Sequence, residues 1–218
     1  RILIGLALIF VSLDMIRAAT GPLVGNPSTQ MVMAYLGRDL ATAFVIGAAF
    51  AWVVHSSVAA VLLFVTLAAQ AVLPTTAAAA MILGANLGGA LIAFVLTLSA
   101  PIAARRMVIA NLILRGGGAI AITLLIAALP ELLTYLGKTS ARQAINLHFV
   151  FNLVLAVVAL PFVGQIIRAL NGLIPDRPAD ARAAESATAL DPAALNRPQR
   201  GLDCAARELL GMGQKIEQ

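Results

Sequence analysis

The chain has 218 residues, 61% hydrophobic and 11% charged, with a mean hydropathy of +0.94; that composition excludes a soluble globular domain and marks a membrane protein. The net charge of +5 belongs to the apolar part, because up to Pro161 there are eight Lys/Arg against three Asp/Glu and from Phe162 onward seven of each. These cations stand singly or as one pair between apolar runs, without the patch that nucleic acid requires, so they read as topology signals and helix-end anchors, with no nucleic-acid partner expected.

The chain opens "RILIGLALIF", with neither an initiator Met nor a cleavage pattern. Residue 1 is therefore read as an internal point of a longer protein, with upstream sequence expected. Residues 2 to 16 are apolar up to Arg17, short for a full crossing at 1.5 Å per residue. Asp14 and Arg17, three apart near that helix end, read as an interfacial pair. Residues 20 to 40, with Gly21, Pro22, Gly25, Asn26 and Pro27, carry a loop signature.

Residues 41 to 73 form an apolar run interrupted by His55, Ser56 and Ser57. Whole, the run is too long for one untilted crossing, and split at the triplet each arm is too short to cross. That pattern predicts a re-entrant helical hairpin with its turn at the triplet. A new half-helix beginning near Val58 would turn its free N–H groups and positive dipole end toward an anion. Ser56 and Ser57 would cap it, and His55 adds a group that titrates near neutrality. The plainer alternatives are serines bonded to the preceding turn and a neutral His55 donating to a neighbouring carbonyl.

After Pro74, residues 75 to 99 make one span, with Gly84, Asn86, Gly88 and Gly89 near its middle. Glycine is costly inside a helix, so a break is expected here, offering carbonyls and the Asn86 amide to a small hard cation such as sodium. The alternative is that the glycines let another helix approach closely. Arg105 and Arg106 precede a span from about Met107 to Leu129. A loop follows from Pro130 to Ala141, then a last span from about Gln143 to Leu170. Asn111 and Arg115 on the third span, and His148 and Asn152 four apart on the last, are candidate cavity-lining residues. For Arg115 the alternative is snorkelling to the interface, and for the other pair a bond across helices.

From Asn171 prolines and charges mark a polar linker, 171–194. Residues 195–218 open an amphipathic helix through Leu202, Ala206, Leu209 and Leu210. The lone cysteine, Cys204, allows no disulfide framework and no thiolate metal site. Placing Arg105, Arg106 and the tail on the cytoplasmic side makes the first helix run outward and the hairpin dip in from outside. The expected fold class is an all-α polytopic membrane protein: a transmembrane domain over 1–170 in the inner cell membrane, with a cytoplasmic tail.

The motif order "HSSVA", "GANLGG", "RRMVIANLILRGGG" and "INLHFVFNLVLAVVALPF" resembles one half of the sodium-phosphate cotransporter family over roughly residues 41 to 163. Members of that family pair Gln-Ser-Ser-Ser hairpins with Gly-Ala-Asn-Ile-Gly-Thr breaks. The resemblance implies one of two inverted repeats, with Ser56 and Ser57 at a phosphate site, Asn86 on the sodium side, and a PhoU-like cytoplasmic domain starting near Leu195. Asn111 and Arg115 occupy the His and Asn of the earlier His-x-x-Phe-Asn copy. His148, Phe151 and Asn152 match that pattern. His55 stands for Gln, Val58 for the third Ser, and Gly89 with Ala90 for a Thr pair.

The function implied is sodium-dependent phosphate symport by alternating access, with sodium as coupling ion and no other cofactor. Its partners would be the phosphate anion, the bilayer, and an upstream second repeat or a homo-oligomeric copy. The alternative is a non-transporting membrane anchor or phosphate-sensing scaffold derived from a transporter half, which the lost hydroxyls favour. An intramembrane hydrolase using Ser57 and His148 lacks a nucleophile elbow and any group to orient the histidine, so no enzyme is expected.

Overall fold

The computed structural model describes residues 2–175 and 198–216, which are helical with short connections and contain no strand. The chain is an all-α polytopic membrane protein. Among the described residues four helical stretches are long and apolar enough to cross a bilayer: Ile2–Leu23, Thr75–Leu96, Ile102–Ala128 and Ser140–Leu173. The chain divides into two compact units, Arg1–Leu170 and Asn171–Gln218. Of the second unit, the described residues include the helix Pro198–Ile216, whose Leu202, Leu209 and Leu210 are exposed. The expected linker, 171–194, lies outside the described residues from position 176 onward, as do residues 195 to 197 of the expected helix.

Helix α1 spans Ile2–Thr20 and continues as a tighter turn to Leu23, so it is longer than the apolar run to Arg17 indicates and has the length of a crossing. Arg17 pairs with Asp14 at 3.4 Å. The expected loop over 20 to 40 is corrected: α2 fills Pro27–Arg38. The residues that read as loop are in fact its start signal. The Asn26 side chain accepts from the N–H groups of Ser28 and Thr29, and Pro27 takes the first helical position, where its missing N–H costs nothing.

Helix α3, Leu40–Val54, begins on Asp39, whose carboxylate accepts from the Thr42 N–H and hydroxyl and the Tyr35 hydroxyl. The two Thr42 bonds, then that of Tyr35, hold the Asp39 carboxyl below the usual carboxylate range. Helix α4 is Ser57–Ala69, α5 Thr75–Leu96, α6 Ile102–Ala128 and α7 Ser140–Ala159, with α8, Val163–Leu173, following a short tight turn. The expected loop from Pro130 to Ala141 contains a 3₁₀ turn, Pro130–Leu136.

The contacts fix the helix directions. Gly37 lies against Pro74, and the Thr76 hydroxyl donates to Gly37 O at 3.2 Å, so the chain enters α3 and leaves α4 at the same end of the bundle. Arms of 15 and 13 residues reach only about 20 Å at 1.5 Å per residue, short of a crossing. The predicted hairpin is therefore present as a helix-turn-helix whose tip lies partway along the longer helices. At its base the Thr20 hydroxyl donates to Gln70 Oε1 at 2.8 Å and the Gln70 amide to Arg17 O at 3.3 Å, tying α1 parallel to α4.

The break expected at Gly84 to Gly89, within residues 75 to 99, is corrected. Helix α5 runs unbroken through Gly84, Asn86, Gly88 and Gly89. Each glycine costs about 1 kcal/mol inside a helix, whereas every backbone group freed by a break in hydrocarbon costs several kcal/mol. The unbroken helix wins, and α3 occupies the space the glycines leave. A Cβ on Gly84 would sit 2.0 Å from Phe44 O, one on Gly88 2.3 Å from Ala48 O, and one on Gly47 2.1 Å from Met81 O. The two helices thus touch backbone to backbone, the close-packing alternative. Around α5 pack α3, α4, α6 and α7, and Ile82, Leu83 and Ala85 on it are fully buried.

Candidate functional site

The hairpin tip is a break whose polar groups are satisfied locally. His55 adopts the left-handed region at φ 56°, where histidine is enriched among non-glycine residues. There the His55 N–H donates to Trp52 O and the Ser56 N–H to Ala51 O, both at 3.3 Å, which closes the C-terminus of α3. Ser56 is extended, and its Oγ accepts from the Ala59 N–H at 3.2 Å, the expected cap of α4. The His55 ring places Nδ1 3.0 Å from Val53 O and is exposed, which is the plainer reading of that residue.

The two serines face different neighbours. Ser56 lines an open cavity of about 310 Å³ between α1 and α4, with Leu8, Ser12 and Ile16 opposite. Ser57 faces α5, where a Cβ on Gly89 would lie 3.2 Å from its Cβ and 3.4 Å from its Oγ. Its hydroxyl has no hydrogen-bond partner among the described residues. The tip and the glycine segment therefore converge through Ser57, without a break in α5.

Beside this contact lies a polar layer from three helices. Asn86, 1% exposed, donates to Ile82 O at 2.9 Å and places Nδ2 3.4 Å from His148 Nδ1. Its Oδ1 accepts from Asn152 Nδ2 at 3.4 Å, and the same Asn152 amide donates to His148 O at 2.7 Å. Asn152 Oδ1 in turn accepts from Arg115 Nη2. Gly116 and Gly118 let α6 close on α5 and α7 at this level: a Cβ on Gly116 would meet Leu87 at 2.8 Å, and one on Gly118 would meet Phe151 at 3.4 Å.

Four candidates, Asn86, Arg115, His148 and Asn152, thus form one network, with Ser57 reaching its edge through Gly89. Asn111 does not join; it is exposed on α6, one turn earlier. Gly84 and Gly88 touch α3, and within an unbroken helix their carbonyls serve the helix's own ladder. A cation would find one amide oxygen, Asn86 Oδ1, already accepting from Asn152, which does not make a coordination shell for sodium in this arrangement. Among the described residues no three His, Cys, Asp or Glu cluster as metal ligands. Sequence reasoning missed Gln70 and Thr20; a glutamine near the end of an apolar run was the available signal.

No family model matches the chain and no solved structure matches it. Among curated proteins it is 35% identical, over 218 residues, to the Escherichia coli K12 protein named "Putative inorganic phosphate export protein YjbB". That match takes in all of this chain and 40% of the relative. A Salmonella typhimurium LT2 protein of the same name is 34% identical over the same length. Bacillus subtilis "Uncharacterized protein YqeW" is 23% identical over 172 residues, 79% of this chain and 56% of that one. The chain therefore spans 40% of the length of these phosphate-export-named relatives and is similar to them from end to end.

Proposed function

We propose that the protein containing this chain moves inorganic phosphate, or a similar small oxyanion, across the cell membrane by alternating access. The observation that carries the reading is the convergence of the hairpin tip with the Asn86–Arg115–His148–Asn152 layer partway along three spans. Transporter sites lie where short or broken helices bring polar groups to the bilayer midplane. The N-terminus of α4 and the Ser57 hydroxyl, without a hydrogen-bond partner among the described residues, supply donors there. The names of the Escherichia coli and Salmonella relatives agree on phosphate and give the direction as export.

An upstream second repeat, or a second copy of the chain, would complete the site. The tail would lie in the cytoplasm with Arg105 and Arg106, leading into a PhoU-like domain. Sodium is the proposed coupling ion, but no step is assigned to it, because the donor set around Asn86 does not suit it in this arrangement. Reconstituted full-length protein should move labelled phosphate down an imposed phosphate gradient, and a sodium or proton gradient should drive it uphill. Absence of flux in both membrane orientations would leave the second reading, a scaffold derived from a transporter half. Val58 at the third serine position favours that reading.

A further inference from the structure

Arg115 stands nine residues after Arg106 on one continuous helix, about 14 Å deeper at 1.5 Å per residue. Its guanidinium does not snorkel. It turns inward to α7, where Nη2 donates to Asn152 Oδ1. An intramembrane arginine normally meets a carboxylate, since an uncompensated buried charge is costly. The acids of the first 170 residues are engaged elsewhere or lie at the ends: Asp14 pairs with Arg17, Asp39 caps α3, and Glu131 sits in the turn after α6. Arg115 has no carboxylate partner among the described residues, and its Nε is buried with no acceptor. Nε and Nη2 are neighbouring donors of one planar guanidinium, a fork that suits two oxygens of a phosphate or carboxylate. One donor holds a neutral amide oxygen and the other holds nothing.

We infer that the counter-ion of Arg115 is the substrate oxyanion itself, bound at the Nε–Nη2 edge, with Asn152 Oδ1 standing in for one of its oxygens when the site is empty. This rests on reading the polar layer as the substrate site, and it names the group that selects for a charged oxyanion. Asn86 and His148 hold Asn152 from the other side, so releasing its Oδ1 leaves its Nδ2 bonds to Asn86 and His148 in place. The placeholder can therefore yield without dismantling the layer.

The test uses detergent-purified full-length protein and equilibrium binding of labelled inorganic phosphate, with sulfate as a second probe and thermal unfolding as the control for fold. Arg115→Gln should weaken phosphate on the order of 10- to 150-fold, the range for a hydrogen bond to a charged group, and Arg115→Lys should recover only part of it. Asn152→Asp supplies an internal carboxylate. It gives up the Nδ2 donor to Asn86 Oδ1 and His148 O, but the ion pair with Arg115 offsets part of that loss, so it should lower the unfolding temperature by less than Asn152→Leu while weakening phosphate over the same range, because the fork is now filled. That combination is one a merely structural tie would not produce. If the parent binds phosphate and a folded Asn152→Asp protein binds it equally well, the inference is overturned while the transport reading stands. If the parent binds sulfate but not phosphate, and Asn152→Asp weakens it, the inference holds and phosphate is the wrong substrate. If the parent binds neither anion, both fall.

Discussion

Helices α1 and α5 mark two regions that hydropathy cannot tell apart. Each belongs to a 22-residue stretch whose most apolar 18 residues have a mean hydropathy of 2.1, yet 56% of that window of α5 is buried inside the bundle and none of that of α1. Helix α5 presents Ala77 to Ala80, Gly84, Ala85, Gly88 and Ala90 to its neighbours, whereas α1 carries Leu3, Ile4, Leu8 and Phe10 outward. Lipid tails are as apolar as leucine, so the bilayer gives a large side chain no reason to turn inward. Small residues let backbones approach, and dispersion then favours the contact. Apolarity places a helix in the membrane; side-chain size decides whether it becomes the centre of the bundle.

The sharpest way to break this contrast is to add volume at matched glycines. Gly84→Val puts methyl groups where Phe44 O already stands, and backbone cannot give way as a side chain tip can, so the protein should fail to fold or lose about 3 kcal/mol or more. Gly5→Val in α1, with nothing within 4 Å, should be close to silent. A folded Gly84→Val protein with the parent's detergent-unfolding midpoint would end the backbone-contact account.

Removing volume should give the next largest difference. Leu83→Ala on α5 takes a fully buried side chain from the core and should cost about 2–5 kcal/mol. Leu8→Ala, 61% exposed in α1, should stay within about 0.5 kcal/mol. Equal costs in a matched unfolding series would mean that α1 packs against something as tightly as α5 does.

Asn86→Leu tests the polar exception within the packed region. It keeps the volume but leaves the Asn152 and His148 groups without their partner, for about 1–3 kcal/mol. The loss should shrink in an Asn152→Ala background, and an unchanged loss there would show that the layer does not act as a unit. Smallest is Thr20→Val, which removes the tie from α1 to Gln70 and should cost about 0.6 kcal/mol, the mean for such bonds between membrane helices. A double-mutant cycle with Gln70→Ala resolves it.

Legibility in the sequence followed how locally each feature is decided. The hairpin was readable because arms too short to cross and a His-Ser-Ser triplet leave few alternatives, and Ser56 caps α4 through neighbours three residues away. The loop reading of residues 20 to 40 failed because Asn26 and Pro27 serve equally as a turn and as a helix start. The break in α5 failed because an intrinsic glycine penalty is weighed against partners the linear text does not show. Arg115, Asn86, His148 and Asn152 could each be picked out as polar residues in apolar runs, but their grouping depends on helix directions.

By itself the sequence determined that the chain lives in a membrane, that three runs after Pro74 are long enough to cross it, and where its polar interruptions fall, because hydropathy, caps and span length act over at most a few turns. The tertiary structure alone decided that α5 stays whole, that Ser56 and Ser57 part company toward α1 and α5, and that Arg115 faces Asn152 rather than water. Those outcomes depend on which backbone lies within a few ångströms of which side chain, and residues up to 66 positions apart in the chain set that distance.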